Sequence, residues 1–264
     1  MKIITTLFIV LILYSCSSNS FDEESSLQLL ETAYKEKSSE YLNDFFNSWH
    51  DESLFLKNSS TVESKVHIQV TYDFFNQFYS PMKYKIYDKY EYPNYQNAEF
   101  WVIQNEITIL VLNGSDTTSM YEQICDFDTL VYDTLDNFFP SINPEKQKIL
   151  YLTLKYNRIL EQFFWGKLWD LNIYKKDDST TDSLRQVIYS KRNFLEDKIK
   201  LAKNHWYTDW YYHTFPKISE IIFTKDYSRC VVLFRDSHAS SLFVEYHLKG
   251  KQWNRFKKIY QLKE

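Results

Sequence analysis

The chain has 264 residues, a net charge of −4, three glycines and 19% aromatic residues, with 22 Tyr, 20 Phe and 7 Trp. Glycine occurs only at Gly114, Gly166 and Gly250, so no GxGxxG, GxxxxGKS/T or GxSxG motif exists; phosphate cradles and nucleophile elbows, which need backbone without Cβ, are excluded. The charge is near balance and no long basic block occurs, so nucleic acid is not an expected partner.

Met1-Lys2 precedes an apolar run from Ile3 to Leu13, followed by Tyr14-Ser15-Cys16. A basic residue, an apolar run of about a dozen and a small residue before a cysteine have the form of a secretory signal. The run is shorter than the about 20 apolar residues of a bilayer-spanning helix. Leu13, Ser15 and Cys16 resemble the lipobox of bacterial lipoproteins, with Tyr14 bulkier than the usual residue there. The resemblance implies cleavage of residues 1–15, thioether lipidation of Cys16 and N-acylation of the new terminus. The expected partner is then a membrane, because each buried CH₂ contributes about 0.8 kcal/mol and several acyl chains anchor durably. Ser17 stands where an aspartate would retain a lipoprotein at the inner membrane, so the resemblance points to the cell envelope and its outer membrane. Residues 16–25 read as a lipidated, solvated tether. Its acidic Asp22-Glu23-Glu24 also resembles a surface-export signal, but starts late and follows Phe21.

In residues 26–140, Leu27, Leu30, Tyr34, Tyr41, Phe45 and Trp49 recur at helical spacing, which predicts one long amphipathic helix from Ser25 or Ser26. Asn58 to Thr61 is a polar connection. Val66, Ile68, Val70 and Tyr72 alternate as in a strand, but Val66, Val70, Phe74 and Phe78 share a helical face and Phe74-Phe75 breaks the alternation; a helix ending before Pro81 is expected. Strands follow at 83–92, Phe100 to Ile103 and Glu106 to Leu112, the last apolar on both faces and therefore central. Asn113-Gly114 suits a tight hairpin into a strand from Ile124 to Leu135.

Residues 141–264 read in the same order. Pro144 is expected to open a helix with Leu152, Tyr156, Ile159 and Phe163 in its stripe, stopping near Gly166. Asp177 to Thr181 caps a second helix with Leu184, Ile188, Leu195, Ile199 and Ala202 on one face. Strands at Ile218 to Phe223, Arg229 to Phe234, Leu242 to Leu248 and Trp253 to Tyr260 complete the chain, the last two joined at Gly250-Lys251. The fold class is α+β, with helices on an antiparallel sheet, one compact body and room for two similar helix-helix-sheet halves, although residue matching between the halves is poor. Arg229 to Phe234, Leu242 to Leu248 and Lys249-Gly250-Lys251-Gln252-Trp253 resemble the end of nuclear-transport-factor-2-like α+β folds, which wrap a curved sheet around helices and often hold an apolar pocket. Phe45 to Trp49, Phe78 to Pro81, Leu150 to Thr153 and His205-Trp206 up to Pro216 resemble landmarks of envelope lipoproteins to which no function attaches.

Few groups suggest chemistry. Cys125 and Cys230 stand about a hundred residues apart; a disulfide closing that loop and two separate buried thiols are both open. His205, Asp209 and His213 lie at i, i+4 and i+8 if residues 203–213 are helical, but the surrounding Trp and Tyr residues favour an extended crossing, so no metal or cofactor is expected. Trp206 and Trp210 are a candidate stacking platform for sugar rings. Arg185, Lys191, Arg192, Lys198, Lys200 and Lys203 form a basic stretch, either a solvated helix face or one facing anionic lipid or glycan phosphate. His238 reads as part of a turn. With no catalytic residues in view, the expected function is a non-enzymatic, lipid-anchored envelope protein with a binding or structural role, its partner a glycan or another envelope protein. The alternative is an enzyme or glycan-binding protein on a pocketed α+β fold.

Overall fold

The computed structural model describes residues 22–80, 94–113, 129–166, 179–203, 210–235 and 241–262. The fold is α+β. Helix α1 spans Glu23–Glu36 and α2 Ser39–Ser59, so the long stripe belongs to two helices rather than one. The break falls at Lys37, which takes a left-handed conformation (φ 54°) and donates its N–H to the carbonyls of Ala33 and Tyr34; Ser38 then caps α2 by accepting from Tyr41 N. A lysine in this conformation costs about 1 kcal/mol, and its ammonium lies 3.8 Å above the Tyr34 ring as a partial offset. The acidic triplet is likewise no tether: Asp22 caps α1 by accepting from Ser25 N at 2.7 Å, and Glu23 and Glu24 lie in its first turn, where the helix dipole favours them.

Helix α3 is Val66–Phe78, as the doubled phenylalanine predicted. Phe74 and Phe75 are both fully buried, and only a helix can aim neighbouring rings into one core from the side that also carries Ile68 and Thr71. The strand expected at 83–92 falls outside the described residues. Next come β1 (Phe100–Gln104), β2 (Ile107–Leu112) and β3 (Thr129–Leu135). Pro144 does not open a helix. Lys148–Leu152 instead forms strand β4, parallel to β1 with Trp101 opposite Ile149 and Ile103 opposite Tyr151; the helical stripe starts only at α4 (Leu154–Trp165), which Gly166 ends at φ 53°. Helix α5 is Ser179–Leu195. Ile199 and Ala202 lie beyond its end, because the backbone turns at Leu195 and the carbonyl of Lys198 accepts from Phe100 N on β1.

The remaining strands are β5 (Ala202–Lys203), β6 (Trp210–Tyr211), β7 (Lys217–Phe223), β8 (Arg229–Arg235), β9 (Ser241–Lys249) and β10 (Gln252–Leu262). The main sheet runs β10-β9-β8-β7-β2-β3 and is antiparallel except for the parallel β2–β7 pair. Strand β2 is central, as its apolar faces implied, but its neighbours come from both halves of the chain. The helices mix in the same way: α3 packs on the inner sheet face, whereas α1, α2, α4 and α5 share another core. The chain is therefore not two like helix-helix-sheet units, since a cut near residue 140 would divide both layers.

The β1–β4 ribbon lies between the two cores, and strand alternation explains how it serves both. Phe100, Val102 and Leu150 point into the helical core, where Trp49 stacks on Tyr156 at 4.4 Å; Trp101, Ile103 and Tyr151 point into the core beneath the sheet. Trp49 Nε1 donates to the Tyr151 carbonyl at 3.0 Å, so its one polar atom is satisfied. Trp253 is half-buried against Phe74 and Phe223, with centroids 5.4 and 6.0 Å away. Denaturant melts should show Trp49→Ala losing about 3–5 kcal/mol and Trp253→Ala about 2 kcal/mol, scaled to their burial. An unchanged midpoint for either would remove that ring from the core.

Candidate ligand face on the outer sheet

Cys16, Cys125, Trp206, His205, Asp209 and His238 lie outside the described residues, and for Trp210 only the backbone, paired with Lys203, is described. Cys230 is a free thiol, fully buried on the inner face of β8; burial, and secondarily the Glu245 charge, push its ionisation well up, so it is inert at neutral pH. Strands β5 and β6 give the crossing around 202–211 extended ends, as the aromatic run suggested. His213 is buried between the rings of Tyr211 and Phe215, 5.5 and 5.1 Å away, and its Nε2 has no hydrogen-bond partner among the described residues. No group of His, Cys, Asp and Glu among the described residues could hold a metal ion.

The basic stretch is occupied internally. Lys191 Nζ donates to the Phe163 carbonyl, Arg192 pairs with Glu196 at 3.1 Å, Lys198 pairs with Glu99, and Lys200 with Glu196 at 3.3 Å. Burial lowers the Lys191 ionisation despite the nearby Glu31. The Lys191 and Lys198 contacts tie α5 and the segment after it to the body.

A different surface stands out, on the outer face of the β8–β9–β10 hairpins. Alternation along β9 sends Leu242, Val244 and Tyr246 inward and Phe243, Glu245 and His247 outward. Glu245 is only 4% exposed, and three basic side chains from three strands reach it: His247 at 2.8 Å on β9, Lys257 at 3.6 Å on β10 and Arg229 at 3.8 Å on β8. Register accounts for the convergence, since Val231 and Lys257 are the direct partners of Glu245 and Arg229 that of His247. Next to Val231 lies a small apolar cluster of Leu110, Leu112 and Ile222, so the carboxylate sits where apolar and charged surfaces meet.

Strand β10 bulges between Arg255 and Lys257. The extra residue is Phe256, which does not join Trp253 on the inner face; it turns outward, 59% exposed, and stacks on His247 at 4.1 Å and 12°. Lys249, Lys251, Arg255 and Lys257 are exposed on the same hairpin, Lys257 within 5.6 Å of the Phe256 ring. From Tyr246 to Leu262 the sequence has five Lys and Arg residues and no Asp or Glu, a local reversal of the chain's negative charge that could have marked this hairpin. An exposed ring and the cations near it can stack on a ring and attract anions. Glu245 is held by partners on three strands, an arrangement that fixes it as an acceptor. No protein-family model, curated protein or solved structure matches the chain.

The buried His213 gives the fold a pH dependence. Desolvation, and secondarily Lys217, hold its imidazole well below the ordinary value of 6.5, so the unfolded chain takes up a proton before the folded one does. This stability is complete above about pH 6.5 and is lost as pH falls towards the folded value, with a slope of up to about 1.4 kcal/mol per pH unit. Denaturant midpoints should therefore drop between about pH 6.5 and 5.5 in the parent chain, and His213→Phe should flatten that slope. Equal slopes would show that His213 is protonated in the fold.

Proposed function

We propose that this chain is a non-enzymatic, lipid-anchored protein of a bacterial envelope, attached through Cys16, that binds an acidic glycan on the outer face of its β9–β10 hairpin. The observation that carries the binding role is Phe256, an exposed ring aligned on His247 within a cationic hairpin. Sugar rings present CH groups that pack on aromatic faces, and their hydroxyls match the exposed Lys and Arg donors. The surplus of cations over the single carboxylate favours a glycan carrying carboxylate or phosphate. The anchor reading rests on the lipobox-like Leu13 to Cys16 and on the membrane affinity of several acyl chains.

Calorimetric titration of the protein with acidic and neutral envelope glycans should give binding to the acidic ones that weakens as salt rises. Phe256→Ala should reduce affinity about tenfold while leaving stability within about 0.5 kcal/mol, as expected of an exposed residue. Unaltered affinity in that variant would reject the hairpin as the site, and equal binding of neutral glycans would reject the charge preference. Separately, metabolic labelling with a fatty-acid analogue should mark the parent chain and leave Cys16→Ala unmarked. Equal labelling of the two would reject Cys16 as the acceptor.

A further inference from the structure

The residues around the start of α1 form a second surface. Helices α1 and α2 are joined only by Lys37 and Ser38 and pack against each other, so they run antiparallel. Counting outward from that joint places Asp22 level with Ser53 of α2, fifteen residues along each arm. Helix α4 starts at the same end: the Asp22 carboxylate is held down chiefly by its bonds to Ser25 and in part by the charge of Lys155, while Tyr34, near the far end of α1, meets Phe163, near the far end of α4, at 5.8 Å. Glu52 fastens α4 to α2 here, accepting from Lys155 Nζ at 2.5 Å and from the Tyr156 hydroxyl at 2.9 Å.

This end carries exposed apolar side chains. Phe55 lies one turn beyond Glu52 and Leu154 immediately before Lys155, each 65% exposed; of the large hydrophobics among the described residues, only Tyr132 is more exposed. Leu54, in the same last turns of α2, is also exposed. Nothing in the fold requires these groups to be apolar, since Ser, Lys and Asn occupy the comparable positions Lys57, Asn58 and Ser59. Scattered exposed apolar residues are ordinary, but two such residues at one end of a helix hairpin next to a membrane attachment are a different case.

The chain between the lipid attachment and the fold selects the occupant. This inference rests on the reading of Cys16 as the anchor. Only residues 17–21 separate Cys16 from Asp22, so the chain there spans at most about 20 Å, whereas the Lys37 joint lies about 20 Å further along α1 at 1.5 Å per residue. The end bearing Asp22, Phe55 and Leu154 is therefore the one the anchor keeps next to the bilayer. We infer that Phe55 and Leu154 dock this end of the helix hairpin into the membrane interface, fixing the body on the lipid surface and leaving the β9–β10 hairpin to its ligand. Asp22, Glu23, Glu24 and Asp51 outnumber Lys57 and Lys155 at this end, so the contact is carried by the apolar groups and suits a lipid surface of low charge.

The test places the photocrosslinking residue p-benzoylphenylalanine at position 55, 154 or 132 of the full chain in producing cells that carry phospholipid labelled in its headgroup. All three positions are exposed, so folding is preserved, and a headgroup label is not confused with the acyl chains on Cys16. We expect lipid adducts at 55 and 154 to exceed those at 132 at least fivefold. Equal adducts at the three positions in membrane-bound protein would overturn the docking while leaving the anchor in place, as would adducts at 55 and 154 formed only with another protein. Recovery of the chain outside the membrane fraction with Cys16 unmodified would overturn the anchor and the docking together.

Discussion

The interaction on which the rest of the structure depends is the buried side chain of Gln104. Its Oε1 accepts from Ile218 N at 2.7 Å, and its Nε2 donates to the Ile218 carbonyl at 2.7 Å and the Glu106 carbonyl at 2.8 Å. The amide thus does the work of a neighbouring strand for one residue of β7, at the point where the chain leaves β1 for β2. Immediately beyond, β2 takes over the pairing itself, with Thr108 opposite Glu220 and Val111 opposite Phe223. Buried backbone groups must find partners, and here the partner of a strand from the second half is a side chain from the first. Asn105 extends the arrangement by holding both the N–H and the carbonyl side of Phe138, so the segment before β4 is tied to the same joint.

Both proposed surfaces follow from that joint. Once β7 is fixed beside β2, the β8, β9 and β10 strands extend the sheet across α3, and alternation presents Glu245 and His247 on the face opposite the aromatic core. The β1–β4 ribbon, covered by apolar residues on both sides, sets α1, α2 and α4 on the other core and aligns their ends. The proposed ligand face and the proposed lipid-facing end thus belong to different layers of one body.

Much of the local structure could be read from the residues. Phe74-Phe75 decided helix over strand for α3, the two apolar faces of Ile107 to Leu112 marked a central strand, and Gly250, at φ 65°, turns the last hairpin. What escaped was set by long-range pairing. Lys148 to Leu152 continues the helical stripe of α4 in spacing alone, and only β1 alongside makes it a strand. The break at Lys37 uses neither glycine nor proline, and the apolar stripe passes across it unchanged. Parallel pairs such as β2–β7 leave no mark in the spacing of either strand. Trp206 and Trp210 drew attention as large rings, whereas Phe256 is ordinary in sequence and stands out only once strand pairing puts it on the outer face beside His247. The run of cations without acids from Tyr246 to Leu262 was the readable signal.

The most direct test of the central claim is the equilibrium denaturant unfolding of Gln104→Leu beside the parent chain, followed both by helix signal and by tryptophan emission. Leucine keeps the volume and removes the amide, leaving the N–H and carbonyl of Ile218 buried without partners, each costing about 1–3 kcal/mol. The account predicts one cooperative transition in both proteins, coincident by the two probes, with the variant less stable by about 2–5 kcal/mol. A variant within about 0.5 kcal/mol of the parent, or a parent chain whose helical and sheet layers unfold in separate steps, would contradict it.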